Sequence, residues 1–325
     1  MAEATLYQGC GETIDWVADA DYSNGAVVQL PDGRAGVVTV DVTSGKTVGV
    51  YVAGIFKVAK TTSMACLRGG RAFWDHSADK VYYKKVNDRD FYLGRYSADQ
   101  LTESATTCYV NLNVNPPADI DMLRDGALSV ATGTAAAGGF GLPQVYGNAR
   151  ALTITATSEV QCVDMLSVDR WALGANAIAE FIVRVGVNGS TSAVDLSIGI
   201  ANATSTSDAD AIAESLFFHI DGGSTAINAE SDDGTTEGAA TDTTKTFTAG
   251  SAVANRSEFW IDTRDPSACA FYVDGVRVLS ATANLGNVAL AAGPLGLLVH
   301  LEKSTGTATA GPVYVDRAIA RFSQS

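Results

Sequence analysis

The sequence predicts an all-β protein of two domains, and three observations carry that reading. Glycine (32 of 325 residues), alanine, threonine, valine, serine and aspartate are abundant, while lysine, glutamate and leucine, which favour long helices, are scarce. Apolar and polar residues alternate over short runs, as in Glu12–Ala18, where Ile14, Trp16 and Ala18 share one face opposite Thr13, Asp15 and Val17. Turn-forming residues recur between such runs, among them Pro31-Asp32-Gly33-Arg34 and Asp274-Gly275. With 46% hydrophobic and 18% charged residues, the chain has material for real cores, which argues against wholesale disorder.

Taken in order, residues 1–11 read as an N-terminal arm and residues 12–114 as a small β-barrel or sandwich. Its expected strands are Glu12–Ala18, Ala26–Leu30, Ala35–Val42, Thr47–Ala59 with a bulge or close approach at Gly54, Ala72–Trp74, Lys80–Lys84, Phe91–Tyr96 and Thr107–Val114. Asn115-Pro116-Pro117 ends that domain, because neither proline can donate to a ladder. Residues 115–145, with one helical turn's worth of sequence at Asp119–Arg124 and the small-residue tract Thr132–Gly141, read as a linker. Residues 146–325 read as a larger antiparallel β-sandwich. Its clearest strands are Ser257–Thr263 and the hairpin within Cys269–Leu279; the Asp/Thr/Gly-rich stretch Ser231–Thr244 reads as a polar loop.

Several function classes are excluded. The formal charge of −14 leaves no global basic surface to neutralise phosphates, so nucleic acid is not an expected partner. The charge is uneven: residues 1–114 carry 11 basic against 13 acidic residues, and residues 115–325 carry 11 against 23. The nearly neutral first part is the better candidate for docking, the acidic second part for facing solvent. No apolar run reaches the length of a membrane span, and the N-terminus lacks the pattern of a signal peptide. Five cysteines (Cys10, Cys66, Cys108, Cys162, Cys269) form no CxxC and no ladder, which suits synthesis in a reducing cytosol.

An enzyme needs convergent acid, base or nucleophile groups. The three histidines, His76, His219 and His300, lie far apart without partners at ligand spacing. There is no GxSxG, and Ser44-Gly45-Lys46-Thr47 mimics only the tail of a phosphate loop. The strand carboxylates Glu180, Glu258 and Asp262 are the candidates for a glycosidase pair, but they form no cluster in sequence and read as solvated strand-face groups. Asp232, Asp233 and Glu237 make a candidate ligand loop without the spacing of an EF-hand. No catalytic residue, metal site or cofactor is therefore expected. Thr5, Leu6, Tyr7 and Gln8 precede the first clear strand, and an apolar pair there suits strand addition to a partner's sheet edge.

Tyr7, the run Gly9-Cys10-Gly11-Glu12-Thr13-Ile14-Asp15, Gly25-Ala26-Val27-Val28, and Gly49 to Lys60 together resemble a short family encoded in tailed-phage head gene clusters. Gly70 to Asp75, Phe91-Tyr92-Leu93-Gly94 and Thr107 to Asn113 extend the resemblance over about residues 4–114. The resemblance implies a capsid decoration (cement) protein: a homotrimer at local three-fold positions on the outer surface of the expanded head, contacting the major capsid protein. The remainder, through Glu258 to Asp262 and Ala270 to Val278, is similar to concanavalin-like or jelly-roll β-sandwich domains. That similarity implies a second reading, a glycan-binding adhesion or tail-accessory protein acting on host polysaccharide.

Overall fold

The computed structural model describes residues 3–8, 12–114, 120–132, 144–146, 149–154, 158–172, 175–186, 194–235, 237–279, 294–304 and 310–322. Cys10, the Asn115-Pro116-Pro117 domain end, and residues 118–119 and 133–143 of the expected linker lie outside them. The chain divides into two compact units, Met1–Pro117 and Ala118–Ser325, each nearly all β. Among the described residues, no helix is long and apolar enough to cross a membrane.

Among the described residues the first unit holds ten strands: β1 (Ala4–Gln8), β2 (Thr13–Val17), β3 (Val27–Gln29), β4 (Ala35–Val38), β5 (Thr47–Tyr51), β6 (Ile55–Ala59), β7 (Arg71–Asp75), β8 (Lys80–Tyr82), β9 (Phe91–Tyr96) and β10 (Thr107–Leu112). They form a four-stranded sheet in the order β2-β5-β4-β3 and a six-stranded sheet in the order β1-β6-β10-β9-β7-β8. The expected strand Thr47–Ala59 breaks into β5 and β6 because Gly54 takes φ +119°, and the chain there passes from one sheet to the other. Pro31-Asp32-Gly33 makes the expected reversal: Gly33 sits at φ +86° and the Asp32 carboxylate accepts from the Arg34 N–H at 3.0 Å. Val28, Leu30, Val38, Val48, Val50 and Val52 bury against one another on the small sheet.

One side chain ties the two sheets together. Asn113, just past β10 and at φ +57°, accepts from Ala35 N–H (2.9 Å) and donates to the carbonyls of Ala35 (2.9 Å) and Val52 (2.8 Å). Asparagine tolerates this left-handed backbone, and its amide supplies both donor and acceptor. Asn113→Ala removes three hydrogen bonds at once, and we expect a loss of about 2–3 kcal/mol in urea unfolding; a change below about 0.5 kcal/mol, the level of an ordinary surface substitution, would contradict this role.

The second unit is a sandwich of two antiparallel sheets. Its elements are β11 (Ile120–Asp121), α1 (Met122–Asp125), β12 (Ala127–Thr132), β13 (Gln144–Tyr146), β14 (Ala149–Ile154), β15 (Gln161–Ser167), β16 (Ala177–Val185), β17 (Val194–Ala201), β18 (Glu214–Asp221), β19 (Ala226–Asp233), β20 (Glu237–Thr246), β21 (Ser257–Asp262), β22 (Ala270–Val273), β23 (Val276–Arg277), β24 (Gly296–Lys303) and β25 (Ala310–Phe322). One sheet runs β13-β14-β25-β16-β21-β22-β23, with β11 also on β25; the other runs β12-β15-β24-β17-β18-β19-β20. Alternate residues of both inner faces form a single core. Phe218 of the seven-stranded sheet meets Phe259 and Phe271 of the opposite sheet at centroid distances of 5.0 and 5.2 Å.

Three expected boundaries are corrected here. Ala4–Gln8 is no free arm: it pairs antiparallel with β6, Ala4 is buried and Leu6 half-buried. Part of the expected linker is structured, since Ala127–Thr132 pairs residue by residue with β15 as an edge strand. The polar stretch Ser231–Thr244 is not a loop but most of the β19–β20 hairpin, anchored by buried Ile227, Ala229 and Thr243. Ala4–Gln8, Ala127–Thr132 and Glu237–Thr246 are edge strands, where one solvated face permits a composition that resembles an arm, a linker or a loop.

Candidate functional site

Two surfaces concentrate unusual side chains, one on each unit. On the first, Thr5 is exposed and Tyr7 is 62% exposed, its ring 4.5 Å from that of Tyr109. Gln8 pairs with Ile55. The sheet order ends on β1, so an edge strand is presented where a free arm was expected. Elsewhere on this unit, Ile14, Asp15, Trp16, Val17, Leu30, Pro31 and Asp32 line a depression of about 330 Å³. Among the described residues of this unit, Tyr7, Val17, Val40, Val86 and Leu101 are exposed large apolar residues.

On the second unit, Val194, Leu196, Ile198 and Ile200 of β17 point into the core, so the alternation sends Asp195 and Ser197 to the outer face of the seven-stranded sheet. The same rule places His219 and Asp221 of β18, His300 and Glu302 of β24, and Cys162 and Asp164 of β15 on that face. Register then aligns Asp164, His300, Ser197 and His219 in one row across four strands, and Cys162, Glu302, Asp195 and Asp221 in the next. The segment from Asn202 to Ala213 covers part of this face: Ala209 and Ile212 pack on Leu166, Ala201, Phe217 and Leu298.

Both histidines are thereby surrounded by carboxylates, which overturns their reading as isolated groups. His219 Nε2 lies 3.1 Å from Asp221 and 3.6 Å from Asp195, and Nδ1 lies 3.2 Å from Glu230. Burial alone would lower the His219 pKa, but Glu230, Asp195 and Asp221 outweigh it and push it up to about 10. Burial first, then repulsion from Glu302, Asp221 and Asp208, holds Asp195 up at about 7 despite the attraction of His219. His300 Nδ1 sits 2.6 Å from Asp164 and Nε2 sits 3.3 Å from Glu302; these two carboxylates overcome burial and raise it to about 9. Burial and the neighbouring Glu302, Asp164 and Asp208 push the Cys162 thiol up to about 12. Three sets bring donor atoms within 4.8 Å of one another and could hold a cation: Asp195-His219-Asp221, Asp210-His219-Glu230 and Cys162-His300-Glu302.

Comparison with known sequences bears on the first unit. A family model described as phage cement protein aligns with residues 9–112, nearly the whole of that unit. Residues 9–112 match the phage cement protein family. The matched residues contain β2 to β10, with β1 preceding them. No curated protein sequence matches the chain.

Solved structures similar to this chain include an endo-1,3-beta-glucanase from Streptomyces sioyaensis. It is 14% identical with a TM-score of 0.42, covering 64% of this chain and 98% of its own. The Emp47p carbohydrate recognition domain is 9% identical with a TM-score of 0.40, covering 63% and 94%. LamAcat from Zobellia galactanivorans is 11% identical with a TM-score of 0.39, covering 55% and 78%.

The remaining sequence candidates fall as follows. Glu180, Glu258 and Asp262 share the outer face of the eight-stranded sheet, but the first two are buried and all three are committed, where solvated groups were expected. Arg321 donates to Glu180 at 2.6 Å, Trp260 Nε1 to Glu258 at 3.0 Å, and Arg264 to Asp262 at 2.7 Å. Asp232, Asp233 and Glu237 shape a hairpin: the two aspartates accept from Gly234 and Thr235 N–H at 2.7 and 2.9 Å, and Asp232 faces Glu237 across the strands. The missed histidine sites had a sequence signal, His219-x-Asp221 and His300-x-Glu302, since an i, i+2 spacing in a strand places both groups on one face.

Proposed function

We propose that this chain decorates the head of a tailed phage, docking through its first unit on the outer surface of the expanded shell and contacting the major capsid protein as a homotrimer at local three-fold positions. The match of residues 9–112 to phage cement proteins carries this reading. A protein that binds only the assembled shell stabilises that state by mass action, and many copies add avidity. The near balance of charge in the first unit, against the acidic excess of the second, supports docking by the first.

The role we infer is structural, not catalytic. Glu180, Glu258 and Asp262 are occupied by donors, and His219, with a pKa of about 10, is already protonated at neutral pH and so cannot act as a base.

The test is to mix the purified protein with expanded and unexpanded shells that lack it, and to image both by electron cryomicroscopy. We expect density at three-fold positions of the expanded shell with the first unit against the capsid. Tyr7→Glu, at an exposed position of the edge strand, is expected to lower occupancy at least tenfold while leaving the melting temperature unchanged. Absence of density on both shells would move attention to polysaccharide binding by the second unit, testable on a glycan array.

A further inference from the structure

The Cys162 cluster takes no part in the docking reading, and its donor atoms lie close enough together to hold a metal ion. Four donors from three segments lie close together. Cys162 comes from β15, His300 and Glu302 from β24, and the Ser207 carbonyl from the stretch between β17 and β18. Cys162 Sγ lies 3.2 Å from the Ser207 oxygen. His300 Nε2 lies 3.1 Å from the same oxygen and 3.3 Å from Glu302 Oε2. The sulfur, a ring nitrogen and a carboxylate oxygen are all within 4.8 Å of one another.

These separations fit a coordination sphere. Zinc binds nitrogen and oxygen at about 2.0–2.2 Å and thiolate at about 2.3 Å in tetrahedral geometry, so the edges between donors are about 3.3–3.6 Å. The observed nitrogen–oxygen and sulfur–oxygen distances of 3.1 to 3.3 Å need to open by only a few tenths of an ångström.

The surroundings fit as well. His300 turns Nδ1 to Asp164 Oδ1 at 2.6 Å, the carboxylate–imidazole pairing that fixes a ligating ring and leaves Nε2 for the metal. Cys162, Asp164, His300 and Glu302 are all buried, and Asp164 Oδ2 accepts no hydrogen bond among the described residues. A site whose four donors all come from the protein, three of them on buried side chains, is of the structural kind, and a thiolate with an imidazole favours zinc over calcium or magnesium.

We propose that Cys162, His300, Glu302 and the Ser207 carbonyl form a structural Zn²⁺ site that pins the Asn202–Ala213 segment to the outer face of the seven-stranded sheet. Loading releases the Cys162 thiol proton to solvent as the Zn–S bond forms, and His300 binds through an Nε2 that carries no proton. No redox change or further reactant is involved.

The test uses the full-length protein, stripped with a chelator and then titrated with Zn²⁺ or Co²⁺. The expected result is one zinc per chain by mass spectrometry after dialysis, and a cobalt form with intense tetrahedral d–d bands and a sulfur-to-cobalt charge-transfer band. That band requires the thiolate and needs no variant to interpret. Cys162→Ser should abolish it and His300→Gln should weaken binding at least tenfold, whereas Cys269→Ser and His219→Gln should leave band and stoichiometry intact. Failure of the wild-type chain to retain zinc, a cobalt spectrum without the sulfur band, or metal lost on His219→Gln but kept in Cys162→Ser would each overturn the proposal.

Discussion

Gly199→Ala is expected to destabilise the second unit by at least about 3 kcal/mol. Gly199 lies at the centre of β17, paired with Leu298 on one side and Phe217 on the other. A Cβ there would fall 1.9 Å from the Leu216 carbonyl oxygen and 2.9 Å from its carbon. Backbone is what it meets, so no side-chain rotation relieves the overlap, and the β17–β18 ladder must separate. Glycine serves here for close approach of neighbouring backbone and not for a left-handed φ. Gly49→Ala is the matched control: also inside a strand, its Cβ would meet only the Thr39 side chain, at 3.5 Å. Urea unfolding followed by near-ultraviolet circular dichroism should show Gly49→Ala within about 1 kcal/mol of the wild type. Equal midpoints for Gly199→Ala and the wild type would refute the close-approach argument.

Alkaline pH should be the second large perturbation, acting through His219. Its pKa is about 10 in the folded protein, and near 6.5 in an unfolded chain. A group whose pKa is raised on folding stabilises the fold fully below its unfolded value and loses that contribution as pH climbs through the folded one. The window therefore runs from about pH 6.5 to about pH 10, and the loss across it is on the order of several kcal/mol. The groups responsible are Glu230, Asp195 and Asp221, with Asp210 also facing the ring; once the imidazolium is neutral, their buried charges lose a cation. Thermal melts across this range should fall steeply for the wild type and much less for His219→Gln, which starts lower. Parallel slopes for the two proteins would show that the His219 cluster does not set the alkaline limit.

The strand architecture was legible in the sequence because alternation and turn chemistry are local. Thr13–Val17, Phe91–Tyr96, Ser257–Asp262 and the Asp274-Gly275 turn all follow from patterns within ten residues. Edge strands were not legible. Ala4–Gln8, Ala127–Thr132 and Glu237–Thr246 bury only part of their surface, so their compositions resemble an arm, a linker and a loop. The acid–histidine face was illegible for a different reason. Asp164 and His300 are 136 residues apart, and only the β15–β24 register makes them neighbours. Each H-x-[DE] pair shows on its own that a histidine and a carboxylate share a face, but the strand order that joins the two pairs is a property of the whole sheet.

The position of β25 has a consequence for how the chain is made. This strand completes the eight-stranded sheet by lying between β14 and β16, and the Arg184–Asp316 pair that fastens it spans 132 residues. On a ribosome adding about 5–20 residues per second, β16 emerges on the order of ten seconds before its partner. For that interval the nascent second unit presents open edges on β14 and β16, and β15 and β17 likewise wait for β24. Every strand partner in the first unit lies within Met1–Pro117, so that unit can close while the second is still being translated. Long-range closure of this kind is slow, which makes the second unit the step where folding competes with aggregation during synthesis.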